Sequence, residues 1–184
     1  MERDERPFVP PAYCTIPDYS FTYGPEVADL SAAFGFIPDR EQELWLDGAF
    51  GVRTDGLPAA SEGTIIAGRQ TVKSSSLEMT ALGWLFITEE DLILWSAHEV
   101  PTAVATFLHM QKMLEAKAWA MKLVYRFYTA PGALRIQMRD GRRMLFVART
   151  TSGGRGKSGA KKIQDEGLEL QPEHLAAQSA ISST

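Results

Sequence analysis

A lysine and two serines follow a short glycine-containing segment in "AGRQTVKSS". A lysine at the start of a helix neutralises the β- and γ-phosphates of a nucleotide, and the hydroxyl after it binds Mg²⁺. The usual loop reads G-x-x-x-x-G-K-[ST]. Here Gly68, Lys73 and Ser74 keep its character, while Ala67 and Val72 replace its two glycines. The segment predicts a nucleotide site with a deviant loop, and the alternative is an ordinary helix N-terminus capped by serines.

Two adjacent acids, Asp165 and Glu166, stand further along the chain in "IQDEG". Phosphoryl transfer needs a carboxylate that holds the metal and a second group that orients the attacking water. Adjacent acids at the end of a strand can supply both. The alternative is a solvated turn with two acids, because Lys161 and Lys162 make this strand less apolar than the central strand of a parallel sheet.

A basic segment precedes these acids. Arg155 stands among glycines in "GGRGKSG", a setting in which an arginine can clamp a transferring phosphoryl group. The alternative, which this segment favours when taken alone, is a solvated loop arginine. Eight Lys or Arg residues fall between Arg139 and Lys162, against a single acid, Asp140. This concentration of charge is consistent with a nucleic-acid surface, and the plainer alternative is the solvated face of a β-hairpin.

Alternating helical and β-rich segments must position these residues. The apolar spacing predicts helices at 24–36, 37–52, 74–87, 101–123 (one helix or two) and 172–181. Strands are predicted at 64–68, 89–97, 125–130, 133–150 (with a hairpin turn near Asp140-Gly141) and 161–163. The alternation predicts an α/β fold with a parallel or mixed sheet. Residues 1–24 are interpreted as an extended arm before one domain, 25–184.

Composition narrows the class of protein. The 184 residues are 45% hydrophobic and 23% charged, an ordinary globular profile. A net charge of −4 excludes a wholly basic nucleic-acid-binding chain. The single cysteine, Cys14, excludes an internal disulfide framework and a multi-cysteine metal site. The single cysteine also fits a reducing, cytosolic setting. No apolar run approaches the about 20 residues of a membrane span, so we expect no membrane association.

Several longer segments resemble the ATPase domain of tailed-phage terminase large subunits, the motors that package DNA. The resemblance covers most of the chain and is carried by "EVADLSAAFGFIPDREQELWLDGAFG", "GRQTVKS", "LILWSAHEVPTA", "GRRMLFVARTTSGGRGKSG" and "IQDEGLELQPEHLAA". It implies an α/β domain of the P-loop NTPase type, three-layered, with a mainly parallel and incomplete sheet. The loop of that family is usually R-Q-N-G-K-[ST]. "RQTVKS" departs from it at two positions, most seriously at Val72, because a β-branched side chain resists a positive φ.

The resemblance also implies the cofactors, ATP and Mg²⁺, and a role for each site residue. The nucleotide would be bound by Gly68, Arg69, Gln70, Thr71, Val72, Lys73, Ser74 and Ser75. The individual roles are phosphate binding by Lys73, Mg²⁺ binding by Ser74 and Asp165, adenine recognition by Gln42, water activation by Glu166, and completion of a neighbouring subunit's site by Arg155. We therefore expect the strands ending at Ala67 and near Gln164 to lie side by side, with Lys73 close to Asp165.

The partners that the resemblance implies are double-stranded phage DNA, the portal and the small terminase subunit. They would meet a homo-oligomeric ring in the cytoplasm of the bacterial host. Family members continue past the acids into a coupling segment and a nuclease domain, whereas this sequence ends 18 residues after Glu166. We expect no nuclease activity and slow hydrolysis, from a truncated or split gene. The alternatives are a prophage remnant that binds no nucleotide and a DNA-binding fragment.

Overall fold

The computed structural model describes residues 10–67, 73–130, 132–149 and 160–165. The chain divides into two compact units, residues 1–87 and 88–184. The described part of the first unit is mainly helical, and that of the second is built around a five-stranded sheet.

Three helices dominate the first unit. They are α1 (Gly24–Phe34), α2 (Arg40–Ala49) and α3 (Lys73–Phe86), accompanied by two short antiparallel strands, β1 (Phe21–Thr22) and β2 (Gly51–Val52). All three helices were predicted from the apolar spacing, and their existence is confirmed.

Local sequence explains where α1 and α2 begin and end. Pro25 lies in the first turn of α1, and Gly35 ends this helix with a φ of 103°, which glycine adopts without a steric penalty. Asp39 and Gln42 form a capping box at the start of α2. Each side chain accepts a hydrogen bond from the backbone N–H of the other residue, so two donors at the helix end are satisfied.

One apolar cluster joins the three helices. Its fully buried members are Val27, Leu46, Phe50 and Met79. Gly83 marks the closest approach of α3 to this cluster, because a Cβ built there would lie 2.4 Å from Cζ of Phe50. The absence of a side chain at this position therefore allows α3 to pack closely on α1 and α2.

The strand predicted at 64–68 is wrong for its described residues. Residues 64–67 form no strand, and Ile66 is 92% exposed. A Cβ built on Gly63 would lie 2.8 Å from Cη2 of Trp45, so the chain passes tightly over this indole ring. Strand formation depends on a neighbouring strand to pair with, and among the described strands none pairs with residues 64–67.

The second unit contains one mixed sheet and two helices. Its elements are β3 (Leu92–Ala97), α4 (Val100–Glu115), α5 (Ala118–Leu123), β4 (Val124–Tyr128), β5 (Arg135–Met138), β6 (Arg143–Ala148) and β7 (Lys161–Gln164). The strand order is β4-β5-β6-β3-β7; β3 pairs in parallel with β6 and β7, and β5 pairs antiparallel with β4 and β6. The α/β class is confirmed. The sheet is mixed instead of mainly parallel, because strands joined by a short turn must run antiparallel.

The hairpin turn predicted near Asp140-Gly141 is confirmed between β5 and β6. Gly141 has a φ of 102°. The backbone N–H of Arg142 donates to Asp140 Oδ1 at 3.1 Å, and its guanidinium donates to Oδ2 at 2.7 Å. These hydrogen bonds hold the pKa of Asp140 below its ordinary value. Gln137 Nε2 closes the turn by donating to the carbonyl oxygen of Gly141 at 2.9 Å.

Two helices, α4 and α5, occupy the long helical stretch predicted before β4, and they are separated at Ala116 and Lys117. The ring of Phe107 on α4 meets that of Phe146 on β6 edge-on, with centroids 5.3 Å apart, so α4 covers the face of the sheet that carries Phe146. The last predicted helix, 172–181, lies outside the described residues. In the described ranges no helix has both the length and the apolar character needed to cross a membrane.

Candidate nucleotide site

Gln42, the predicted adenine-recognition residue, is buried at the start of α2. Only 6% of it is exposed. Its Oε1 accepts a hydrogen bond from the backbone N–H of Asp39 at 3.0 Å, and its Nε2 donates to Ser75 Oγ at 2.7 Å. A carboxamide has two N–H groups and two carbonyl lone pairs, so these bonds use one of each. Gln42 is thus a structural residue of the capping box and also the link between α2 and α3.

The N-terminal turns of α2 and α3 lie next to each other. Gln42 and Ser75 connect them near their starts, and a second pair connects them further along. Trp45 Nε1 donates to Thr80 Oγ1 at 2.9 Å, and Thr80 Oγ1 donates to the carbonyl oxygen of Ser76 at 2.8 Å. Because both links join residues in the same chain order, the two helices run in the same general direction, and their N-termini face the same end of the unit.

The two N-termini differ in charge. Glu41 and Glu43 lie in the first turn of α2, where their carboxylates complement the dipole of their own helix. The first turn of α3 carries no acid and includes Lys73. A helix start with a lysine and without a carboxylate favours an incoming anion. The start of α3 is therefore the candidate anion-binding end of this pair.

The serines that follow Lys73 point in different directions. Successive residues of an α-helix are rotated by about 100°. Ser75 is half-buried and bonded to Gln42, whereas Ser74 is exposed. A metal or phosphate arriving from solvent can reach the hydroxyl of Ser74, while that of Ser75 already links the two helices.

Part of the predicted site falls outside the described residues. This part consists of the phosphate-loop residues Gly68, Arg69, Gln70, Thr71 and Val72, together with Arg155 and Glu166. Their predicted roles stay predictions.

The second unit places Asp165 at the carboxyl edge of its parallel strands. The backbone N–H of Asp165 donates to the carbonyl oxygen of Ser96 at 3.0 Å, which extends the pairing of β3 with β7. On the other side of β3, the backbone N–H of Arg149 donates to the carbonyl oxygen of Ala97 at 2.8 Å. The Arg149 guanidinium also donates to the carbonyl oxygen of Asp165. Arg149 thus connects the ends of β6 and β7 across the end of β3.

The sequence identified Arg149 only as one of eight basic residues between Arg139 and Lys162 and predicted no specific role for it. It is 9% exposed, so it is a buried cation that holds the backbone of a predicted Mg²⁺ ligand, Asp165. The feature of the sequence that could have identified Arg149 is its position directly after the apolar strand β6, because open α/β sheets bind ligands at the carboxyl ends of their strands.

The described residues contain no group of three or more His, Cys, Asp or Glu side chains arranged to hold a metal. The predicted Mg²⁺ ligands are of another kind, one hydroxyl and one carboxylate, and they belong to different units: Ser74 to the first and Asp165 to the second. The expected proximity of Lys73 and Asp165 stays a prediction.

Comparison of this sequence and structure with known proteins identified no relative. No family model, no curated protein and no solved structure matches the chain.

Proposed function

We propose that this chain is the ATP-binding portion of a DNA-packaging motor of the terminase large-subunit type, acting in the cytoplasm of a bacterial host. The observation that supports it best is the 2.7 Å hydrogen bond between Gln42 Nε2 and Ser75 Oγ. It brings together two segments to which the resemblance assigns the same ligand, although 33 positions separate them in the sequence.

The charge at the start of α3 fits a nucleotide phosphate. Lys73 supplies a cation, Ser74 supplies an exposed hydroxyl for Mg²⁺, and the first turn carries no acid that would repel the ligand. ATP with Mg²⁺ would supply the transferable phosphoryl group. In this proposal the domain is a P-loop NTPase, and Arg69, Gln70 and the backbone of the loop add further phosphate contacts.

The hydrogen bonds that Gln42 already makes limit the number of bonds it could form with adenine. One N–H and one carbonyl lone pair of its carboxamide remain for the base once the capping box and the bond to Ser75 are counted. One donor and one acceptor are sufficient for the edge of an adenine. A base contact at these two positions would leave both bonds in place, and the base would have to reach a residue that is 6% exposed.

Hydrolysis in this proposal depends on three residues, Asp165, Glu166 and Arg155. Asp165 would hold Mg²⁺, and Glu166 would activate the attacking water. Arg155 completes the site of a neighbouring subunit in a ring that also engages the portal and the small subunit. Hydrolysis by a dispersed chain is expected to be slow, because an arginine supplied by a partner is worth about 10³–10⁵ in rate in the analogous GTPase case.

The test is binding of MgATP, measured by calorimetry. Lys73→Ala is expected to weaken binding by about 1.5–3 kcal/mol, the range for a hydrogen bond to a charged group, which is about 10- to 100-fold in Kd. Lys112→Ala removes the same charge from an exposed position on α4 and serves as the matched control. Unchanged binding in Lys73→Ala would reject the site.

A second candidate function is DNA binding without a nucleotide. The irregular path of residues 64–67 favours it, because a phosphate loop normally follows a strand. Duplex binding by a chain that shows no MgATP binding in calorimetry would support this second function over the first.

A further inference from the structure

One face of the antiparallel strands β4, β5 and β6 carries three arginines. Gln137 on β5 lies between Arg126 on β4 and Arg143 on β6. Tyr128 on β4 lies opposite Arg135 on β5. Because side chains alternate along a strand, all five project from the same side of the sheet. The three strands contain no Asp or Glu. Arg126, Tyr128, Arg135 and Arg143 are called the arginine face here.

The other side of these strands is apolar and covered. Ile136, Met144 and Phe146 alternate with the residues of the arginine face and are buried, and Phe107 of α4 packs against Phe146. On the arginine face, by contrast, Arg126 and Arg143 are exposed and Arg135 is half-exposed. The arginine face is therefore accessible to a large ligand.

Tyr128 holds two of the arginines in place. The guanidinium carbon of Arg135 lies 3.8 Å from the centroid of the Tyr128 ring, and that of Arg126 lies 5.1 Å from it. Such stacking orients the planar guanidinium groups without neutralising their charge. The cost of ordering these long side chains on binding is correspondingly reduced.

The charges on this face have no acidic counterparts among the described residues. None of the ion pairs between described residues involves Arg126, Arg135 or Arg143. Their neighbour Arg142 differs, because it pairs with Asp140 and Glu89. In a chain whose net charge is −4, a local cluster of this kind attracts a polyanion in spite of the overall charge.

We propose that the arginine face binds the phosphate backbone of double-stranded DNA. This rests on the proposed function, in which duplex DNA is the partner. It assigns the contact to a face that combines Arg143, from the basic segment noted in the sequence, with Arg126 and Arg135, which lie outside that segment. Phosphate contact is favoured over base stacking because Arg135 already covers a face of the Tyr128 ring. Three arginines on three phosphates give a slope of log K against log[salt] of about −2.7 for B-DNA.

The experiment is fluorescence anisotropy of a labelled duplex titrated with the full chain at several NaCl concentrations. The double variant Arg126→Ala/Arg143→Ala is expected to reduce the slope to about −0.9, because a single phosphate contact remains. Arg126→Lys/Arg143→Lys keeps both charges and is expected to keep most of the slope. Lys112→Ala, which removes a charge from α4 on the covered side, is the control and is expected to leave the slope unchanged.

Three results would overturn the proposal: an unchanged slope in the double alanine variant, an equal loss in Lys112→Ala, or tighter binding of single strands than of duplex. Thermal melting followed by circular dichroism shows whether each variant is folded. If the double alanine variant is unfolded, the salt slopes of Arg126→Lys/Arg143→Lys and of the charge reversal Arg143→Glu test the proposal instead.

Lys73→Ala separates the proposed DNA-binding face from the proposed nucleotide site. Loss of MgATP binding with retained duplex binding supports both, whereas a wild-type chain that binds duplex and no MgATP supports the arginine face alone.

Discussion

Helices α2 and α3 start side by side, yet their first turns differ in charge. The start of α2 is capped, because Asp39 and Gln42 satisfy two of its backbone donors and Glu41 and Glu43 complement its dipole. The start of α3 carries Lys73 and the exposed Ser74 and has no acid. The capping box and acids at the start of α2 serve stability, and in the proposed function the acid-free start of α3 is the end that would bind a ligand.

The hydrogen bond between the two ends is the first place to test this difference. Gln42→Ala removes half of the capping box and the bond to Ser75, and it truncates a buried side chain. The expected cost is about 2–3 kcal/mol of unfolding free energy. Denaturant unfolding measures it. A cost below about 0.5 kcal/mol, typical of a surface substitution, would contradict the structural role of Gln42.

Ser75→Ala completes a double-mutant cycle with Gln42→Ala. It breaks the link and leaves the capping box intact, so the expected cost is about 1 kcal/mol. Ser74→Ala is the matched neighbour, and its expected effect is on Mg²⁺-dependent nucleotide binding, with stability unchanged. Equal effects of the two serines on MgATP affinity would remove the distinction between the linking hydroxyl and the ligand-facing one.

Glycines in the two helices offer a contrast in packing. Gly83→Ala places a Cβ 2.4 Å from Phe50, and overpacking of this kind costs about 1–3 kcal/mol. Gly48→Ala on α2 meets Ile16 at 3.3 Å, a flexible side chain, while gaining helix propensity of up to about 1 kcal/mol. In thermal melts, Gly83→Ala should lower the melting temperature of the protein, whereas Gly48→Ala should not lower it. A stabilised Gly83→Ala protein would mean that α3 does not pack this closely on Phe50.

The smallest expected effect concerns Asp47, in the last turn of α2. Burial, and then the charge of Glu43, raises the pKa of Asp47 above its ordinary value of 3.8. The folded state therefore prefers the protonated carboxyl, so the contribution of Asp47 to stability is present below pH 3.8 and is lost as the pH rises through the raised pKa. Asp47→Asn should melt slightly higher than the wild type at pH 7 and equally at pH 3.

Asp29→Asn, at an exposed position on α1, is the control for this pH dependence. A gain for Asp47→Asn that persists unchanged at pH 3 would show that the carboxylate charge is not its cause.

Local sequence was sufficient for several elements. Pro25 and Gly35 delimit α1, Asp39 and Gln42 start α2, and Asp140-Gly141 turns the chain between β5 and β6. Each of these features depends on hydrogen bonds or backbone angles within a few residues. A single sequence therefore contains all the information that is needed to predict them.

Tertiary structure decided the remainder. The strand predicted at 64–68 does not form in its described residues, because strand formation depends on a partner that local composition does not specify. In the same way, the hydrogen bond of Gln42 to Ser75, the stacking of Arg135 on Tyr128 and the hydrogen bond of Arg149 to Asp165 join residues that lie apart in the sequence. The residue types that could bind phosphate or DNA were readable from the sequence alone. Which of them became buried links and which stayed exposed to a ligand was set by the packing of helices and the register of strands.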